Sequence, residues 1–479
     1  MDERPPVRRV DPAIDRIAAP SLEDPFVRGA SDGWGGRLGR HVAQGQNWWT
    51  PLRVIILLVI ASSLLMYAQK LPCRNQPWNG FQYSHACYND VYPLYFGEGL
   101  DQGKIPYLDT HGTNKDQNVE YPVLIGAAME LGSKVVGSFA SSSDKAQRFV
   151  DVTWFMLMIA ALVTAIATAL TNRRRIWDAA MFAAAPSLIL AGLINWDLLA
   201  VALTSLAMLA WARKRTFLSG VLFGLAIATK FYPLILFAPL FMVCVRGRQL
   251  RAFFRMLAGA VVAWVVVDVP VWIAAPKGFT TFYVFNKQRG PDWGSIWYAF
   301  SRMFNHTFAT KNVNIYEGAL TIIALLGVGA VIFGAARRPR LPQVFFLSLA
   351  LFLIVNKVYS PQYVLWLLPL FALARPRWRA FIVWQFAEAL YFLGIWLYLL
   401  DQTHPGKGLE WQPYIVSLWI RDVAVLAMCV LVVIDIFRPS HDIVRMDGSD
   451  DPAGGVLDGA PDIFDKQGIY DQPVPVAAG

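Results

Sequence analysis

Apolar runs broken by short basic clusters fill the chain from residue 52 to 436. Reading each run as a helix gives spans near 52–68, 148–170, 177–194, 196–212, 217–228, 234–245, 253–274, 316–334, 343–356, 363–374, 379–400 and 413–436, twelve in all. Several are only about 12 to 16 residues long, short of the roughly twenty that a perpendicular membrane helix needs. Such helices must be buried against neighbours. A further apolar run, 121–140, is interrupted by Glu130 and Lys134. Counting it as a span would move Arg173-Arg174-Arg175 to the outer side. Reading it instead as an interfacial segment on the outer surface keeps that cluster, those at 213–215, 246–251, 337–340 and 375–379, and Arg438 all on the cytoplasmic side. The predicted fold is therefore an all-α polytopic membrane protein of about twelve transmembrane helices with both termini cytoplasmic. Its first external loop (69–146) is long and carries juxtamembrane helices, and its second large external loop covers 276–314. Residues 1–50 and the acidic stretch 438–479 are rich in Asp, Gly and Pro without helical period, and are expected to be disordered cytoplasmic tails flanking a transmembrane domain at 51–437.

Composition agrees: 56% of the 479 residues are hydrophobic, only 16% are charged, and mean hydropathy is +0.40. The net charge of +9 lies in inter-span arginines rather than along one face, which marks topology and not nucleic acid. Four cysteines make no disulfide scaffold: Cys244 and Cys429 sit in apolar runs, while Cys73 and Cys87 flank the approach to Asp90 in the first loop and can bridge if it faces an oxidising compartment. No metal-ligand spacing occurs and the six histidines are scattered. No cofactor is expected, although Asp90 with another external acid could in principle hold a divalent ion.

The polar residues that are costly in a bilayer gather on the outer side. Tyr88-Asn-Asp-Val-Tyr-Pro-Leu-Tyr95 is central among them, with Asp90 beside Tyr88, Tyr92 and Tyr95, which share a face if a helix starts there. Asp90 reads equally as an N-cap or as a catalytic carboxylate. Lys230, at a break between two short helices, and Lys357, in Asn356-Lys-Val-Tyr-Ser-Pro-Gln-Tyr363, repeat one arrangement; Arg289 sits in an aromatic-flanked basic loop. One such cation is usually structural or snorkels to the headgroups. Three beside a carboxylate loop read better as a phosphate site. Tyr88, Tyr92, Asn195, Asp197, Trp293, His306 and Gln362 are the candidates for binding sugar or acceptor. The cytoplasmic loops contain no GxGxxG or Walker-type segment to cradle a nucleotide-sugar, so the substrate is expected from the membrane or from outside it.

An acidic first loop, "IPYLD" at 105–109 followed by "VEYPVL" at 119–124, "INWDLLA" at 194–200, "ATKFYPL" at 228–234 and "SPQYVLWLLPL" at 360–370 together resemble the GT-C superfamily. The greatest similarity is to glycosyltransferase family 87, the polyprenyl-phosphate-mannose-dependent mannosyltransferases of actinobacteria. The resemblance covers about 52–436 and rests on the order of the motifs. It implies inverting transfer of a sugar, mannose first, from a polyprenyl-phosphate donor to an envelope glycan or glycolipid at the outer face of the cytoplasmic membrane, with Asp90 as base. An arabinofuranosyl or glucosyl donor is an alternative within that class. A transporter or flippase of lipid-linked sugars, in which mid-span Glu388 would serve proton coupling, is the rival from another class, and an envelope scaffold is a third.

Overall fold

The computed structural model describes residues 24–39, 48–110, 118–138 and 144–464, and no strand occurs among them. The helices are α1 (Pro25–Gly39), α2 (Pro51–Lys70), α3 (Val91–Gly97), α4 (Val123–Gly137), α5 (Lys145–Thr171), α6 (Pro186–Ala191), α7 (Asp197–Ala212), α8 (Thr216–Thr229), α9 (Phe237–Arg246), α10 (Leu250–Ala274), α11 (Pro276–Gln288), α12 (Ile296–Met303), α13 (Thr310–Gly334), α14 (Leu341–Val355), α15 (Val364–Ala374), α16 (Trp378–Thr403) and α17 (Trp411–Phe437). Every expected span has a helical counterpart in the expected order; the third is broken into Arg173–Ala179, Ala180–Ala183 and α6. Five helices are long and apolar enough to cross a bilayer unaided, and α7, α8, α9, α14 and α15 are shorter apolar helices.

The short spans are buried, as their length requires. All eleven residues of α15 are buried, and most of α14 as well, so the backbone around Pro369, inside α15, meets protein rather than lipid. Close packing of α8 on α10 depends on missing side chains: a Cβ on Gly220, Gly224 or Gly259 would collide with backbone carbonyls of the facing helix. The interrupted apolar run forms α4, a 15-residue helix with a Glu130–Lys134 ion pair of 2.6 Å, lying against α5.

Two features depart from the tail expectation. Asp24 is buried, and its carboxylate caps two helix starts, accepting from Phe26 N (2.9 Å) at α1 and from Trp378 N (2.9 Å) at α16. The described part of the acidic tail, 439–464, is likewise packed and not disordered. Arg340 meets Asp442 at 2.7 Å, with both side chains 1% exposed. Arg338 meets Asp450 at 2.8 Å, Arg246 meets Asp462 at 2.7 Å, and Trp211 Nε1 donates to Gly454 O at 2.7 Å. The acidic residues neutralise arginines that would otherwise be buried unpaired. Residues 1–23, 40–47 and 465–479 of the expected tails lie outside the described residues.

This arginine end holds the C-termini of α5, α7, α9, α15 and α17. The opposite end gathers the C-termini of α2, α8, α14 and α16 with the N-termini of α7, α15 and α17. The polar loops converge there.

Candidate active site

At α3 the chain turns sharply out of the first loop. The cap is made by Asn89, whose Oδ1 accepts from Tyr92 N at 2.8 Å, and the Asp90 side chain makes no cap hydrogen bond. Its carboxylate points instead to Asn195, whose Nδ2 donates to Asp90 Oδ2 at 2.9 Å. Asn195 is itself locked: its Oδ1 accepts from Trp196 N (2.6 Å), and its Nδ2 reaches Tyr121 Oη at 2.9 Å. The backbone behind Asp90 is pinned by Asp90 N donating to Ile194 O (2.7 Å) and by buried Lys70, whose Nζ donates to Tyr88 O (2.7 Å). A disulfide joins Cys73 and Cys87 just upstream, and Arg74 grips Asp151 of α5 through two hydrogen bonds, 2.6 and 2.8 Å. A carboxylate held this firmly from several elements is prearranged for chemistry.

Asp90 lines a cavity of about 980 Å³. Burial raises its pKa above the ordinary carboxylate range, against the hydrogen bonds from Asn195 and Tyr88 and the nearby charge of Lys230. Three cations enter the same cavity from three helix ends. Lys230, in extended conformation just after α8, has Nζ 3.6 Å from Asp197 Oδ2 and 5.0 Å from the centre of the Tyr121 ring. Arg289 follows α11, 3.4 Å from Asp292. Lys357 follows α14 and donates to Asn286 O and Asn314 Oδ1. Burial pulls the Lys357 ammonium below its ordinary pKa; Glu317 opposes this and Arg289 adds to it. Aromatic rings floor the cavity, with Tyr363 and Tyr232 stacked on Trp366 at 3.9 and 4.4 Å. The cavity, which Glu120, Asp292 and Glu317 also line, holds the Asp90 carboxylate and these three cations in a space large enough for a sugar phosphate, an arrangement suited to moving a proton at one side while stabilising a phosphate at the other.

Residues 148–356 match the model of glycosyltransferase family 87. That match spans less than half of the chain. No curated protein matches it. Among solved structures, ArnT from Cupriavidus metallidurans, crystallised with undecaprenyl phosphate, aligns over 81% of this chain and 78% of its own, with 16% sequence identity and a TM-score of 0.41. That likeness is too distant to transfer any residue's role. The matched region contains Asn195, Lys230 and Arg289, whereas Asp90 and Lys357 fall outside it.

Of the residues singled out in the sequence, Asp90, Lys230, Arg289, Lys357, Tyr88, Asn195, Trp293 and Gln362 line this cavity. Three do not. Tyr92 stacks on Trp78 at 4.8 Å, outside the cavity. Asp197 is fully buried behind it, accepting from Trp366 Nε1 at 2.8 Å, and braces Lys230 rather than facing a ligand. His306 lines a separate cavity with Phe308. The expected common face of Tyr88, Tyr92 and Tyr95 also fails, because α3 starts at Val91: Tyr88 packs on Trp396 (4.8 Å) and Tyr95 on Phe149 (5.0 Å). Tyr121, Glu120, Tyr363 and Trp366 line the site without having been singled out. Their signal was present in the "VEYPVL" and "SPQYVLWLLPL" segments, where aromatic and acidic side chains interrupt apolar sequence.

Proposed function

We propose that the protein transfers a sugar, mannose first, from a polyprenyl-phosphate donor to a hydroxyl of an envelope glycolipid or polysaccharide, with inversion at the anomeric carbon. The observation that carries this reading is the half-buried carboxylate of Asp90, held by Asn195, in one cavity with Lys230, Arg289 and Lys357 at one end of the helix bundle. The acceptor oxygen attacks the anomeric carbon as Asp90 takes its proton. The bond from that carbon to the phosphate oxygen breaks, and its electron pair leaves on the phosphate, where the three cations stabilise it. A lipid phosphate leaves readily without protonation, so one carboxylate suffices, and direct displacement inverts the centre. The arginine clusters occupy the opposite end of the bundle, which the charge rule assigns to the cytoplasm, so the reaction is read at the outer face of the cytoplasmic membrane.

Among the described residues no three His, Cys, Asp or Glu side chains converge as a metal site, and unchanged rates after chelation are expected. The transporter reading leaned on Glu388. That carboxylate accepts from Trp384 Nε1 at 2.8 Å and does not line the cavity. The reading is tested with purified protein in lipid, offered polyprenyl-phosphate mannose and its arabinofuranosyl counterpart with an envelope glycolipid extract. Transfer from one donor with inverted anomeric configuration, read by NMR, supports it. Retention of configuration, or movement of the intact donor between leaflets without transfer, removes it.

A further inference from the structure

Beside the Asp90 cavity lies a second one, of about 590 Å³, that the catalytic reading leaves unused. The two share a wall one loop thick: Pro291 lines the second cavity, while Asp292 and Trp293 line the first. That wall is rigidly held. Asp292 N donates to Lys357 O (2.8 Å), Tyr414 Oη donates to Trp293 O (2.7 Å), and Arg421 Nη2 donates to Gly294 O (2.6 Å). On the far side, the loop after α12 is closed by Ser301 Oγ donating to His306 O and His306 N donating to Ser301 O, with Asn305 forced to a positive φ of 49°. A loop tied in this way presents its side chains in fixed positions.

Those side chains make ring contacts, His306 with Phe308 at 4.9 Å among them, but their polar groups are not used within the fold among the described residues. Arg302 makes no ion pair among the described residues, its guanidinium lying 5.7 Å from the centre of the Trp411 ring. The side chains of Asn305, His306 and Thr307 form no hydrogen bond there either. Tyr298, Phe308 and Trp411 supply aromatic surface around them. Flat rings interleaved with unengaged amide, hydroxyl, imidazole and guanidinium groups suit a neutral, hydroxyl-rich ligand, whose ring faces are apolar and whose edges need hydrogen bonds. A lipid tail would find too many polar groups, and a phosphate would find one exposed arginine where the neighbouring cavity gathers three cations.

We infer that this second cavity is an acceptor subsite, which holds sugar units of the acceptor glycan remote from the hydroxyl that reacts at Asp90. The inference rests on the glycosyl-transfer reading above. It makes the enzyme one that extends a glycan of several units in preference to a single sugar, with the Pro291–Trp293 wall setting how far the reacting end projects.

The test uses the full-length protein in nanodiscs, with polyprenyl-phosphate mannose and polyprenyl-phosphate arabinofuranose as donors, and octyl mannosides and octyl arabinosides as acceptors, each as mono- and trisaccharide. Wild type should prefer a trisaccharide by kcat/KM, and Arg302→Ala and Trp411→Ala should each cut that preference by about tenfold, the order of one lost polar or ring contact. Arg302 is exposed, so its variant tests the inference even if Trp411→Ala unfolds. No length preference in wild type, or a preference that both folded variants retain, overturns the subsite. A variant altered only in its response to anionic phospholipid makes the cavity a headgroup site and overturns it equally. Wild type that consumes neither donor, by transfer or hydrolysis, instead sinks the glycosyl-transfer reading itself.

Discussion

Asp90 sits where a helix cap is expected, yet Asn89 caps the helix and leaves the Asp90 carboxylate to the cavity. Its raised pKa has two measurable consequences. Turnover needs the ionised form, so the rate should fall as pH drops through a value above the ordinary carboxylate range, read from a kcat/KM profile. The second concerns stability. A folded pKa above the unfolded one means that the ionised carboxylate opposes folding. That cost is complete above the folded pKa and disappears as pH falls from there through the unfolded value. Asp90→Asn, which retains an oxygen to accept from Asn195, should therefore raise the melting temperature at neutral pH and lose this advantage in acid. Equal melting temperatures at both pH values would show that Asp90 is not held in a desolvating site. The sequence made Asp90 legible as a candidate because a lone acid among tyrosines stands out. It left cap and catalyst open because the deciding contacts involve Asn195, 105 residues away.

Element boundaries were readable wherever basic clusters punctuate apolar runs, and even the short spans could be placed, because a short apolar run between two arginine clusters has few alternatives. The acidic tail was not. Asp, Gly and Pro in a stretch without period read as disorder, and nothing local announces its partners, which lie 102 residues away for Arg340 and Asp442 and 216 for Arg246 and Asp462. Such a strap is a stability element with a definite signature. Asp442→Ala leaves Arg340 buried and unpaired and should cost about 3 to 5 kcal/mol, whereas Asp458→Asn, whose carboxylate meets only the Asp451 amide in the same strap, should cost far less. Thermal or denaturant unfolding in detergent separates the two. Equal, small losses would mean that the strap adds nothing to the bundle.

For the whole molecule, the arrangement is polarised: paired arginines close one end, and the cavity with its three cations opens at the other. That polarity was legible from charge distribution alone, whereas the division of the polar end into two cavities was not, because it depends on how the 291–294 loop is folded back onto α14 and α17. If the charge rule holds, a cysteine replacing exposed Lys407, between α16 and α17 at the cavity end, should react in intact cells with a membrane-impermeant maleimide. One replacing exposed Arg173 should react only after permeabilisation. The reverse pattern would turn the protein over and move the reaction to the cytoplasmic face.

In the proposed reaction Asp90 takes the acceptor proton while the donor is held by other groups. The direct measurement is single-turnover sugar transfer beside donor binding, for wild type and Asp90→Asn in the same lipid. Asp90→Asn should bind the polyprenyl-phosphate sugar with nearly unchanged affinity and transfer it about 10² to 10⁴ times more slowly, the range for a lost general base. Transfer at the wild-type rate would contradict that role, since the carboxylate would then do no chemistry.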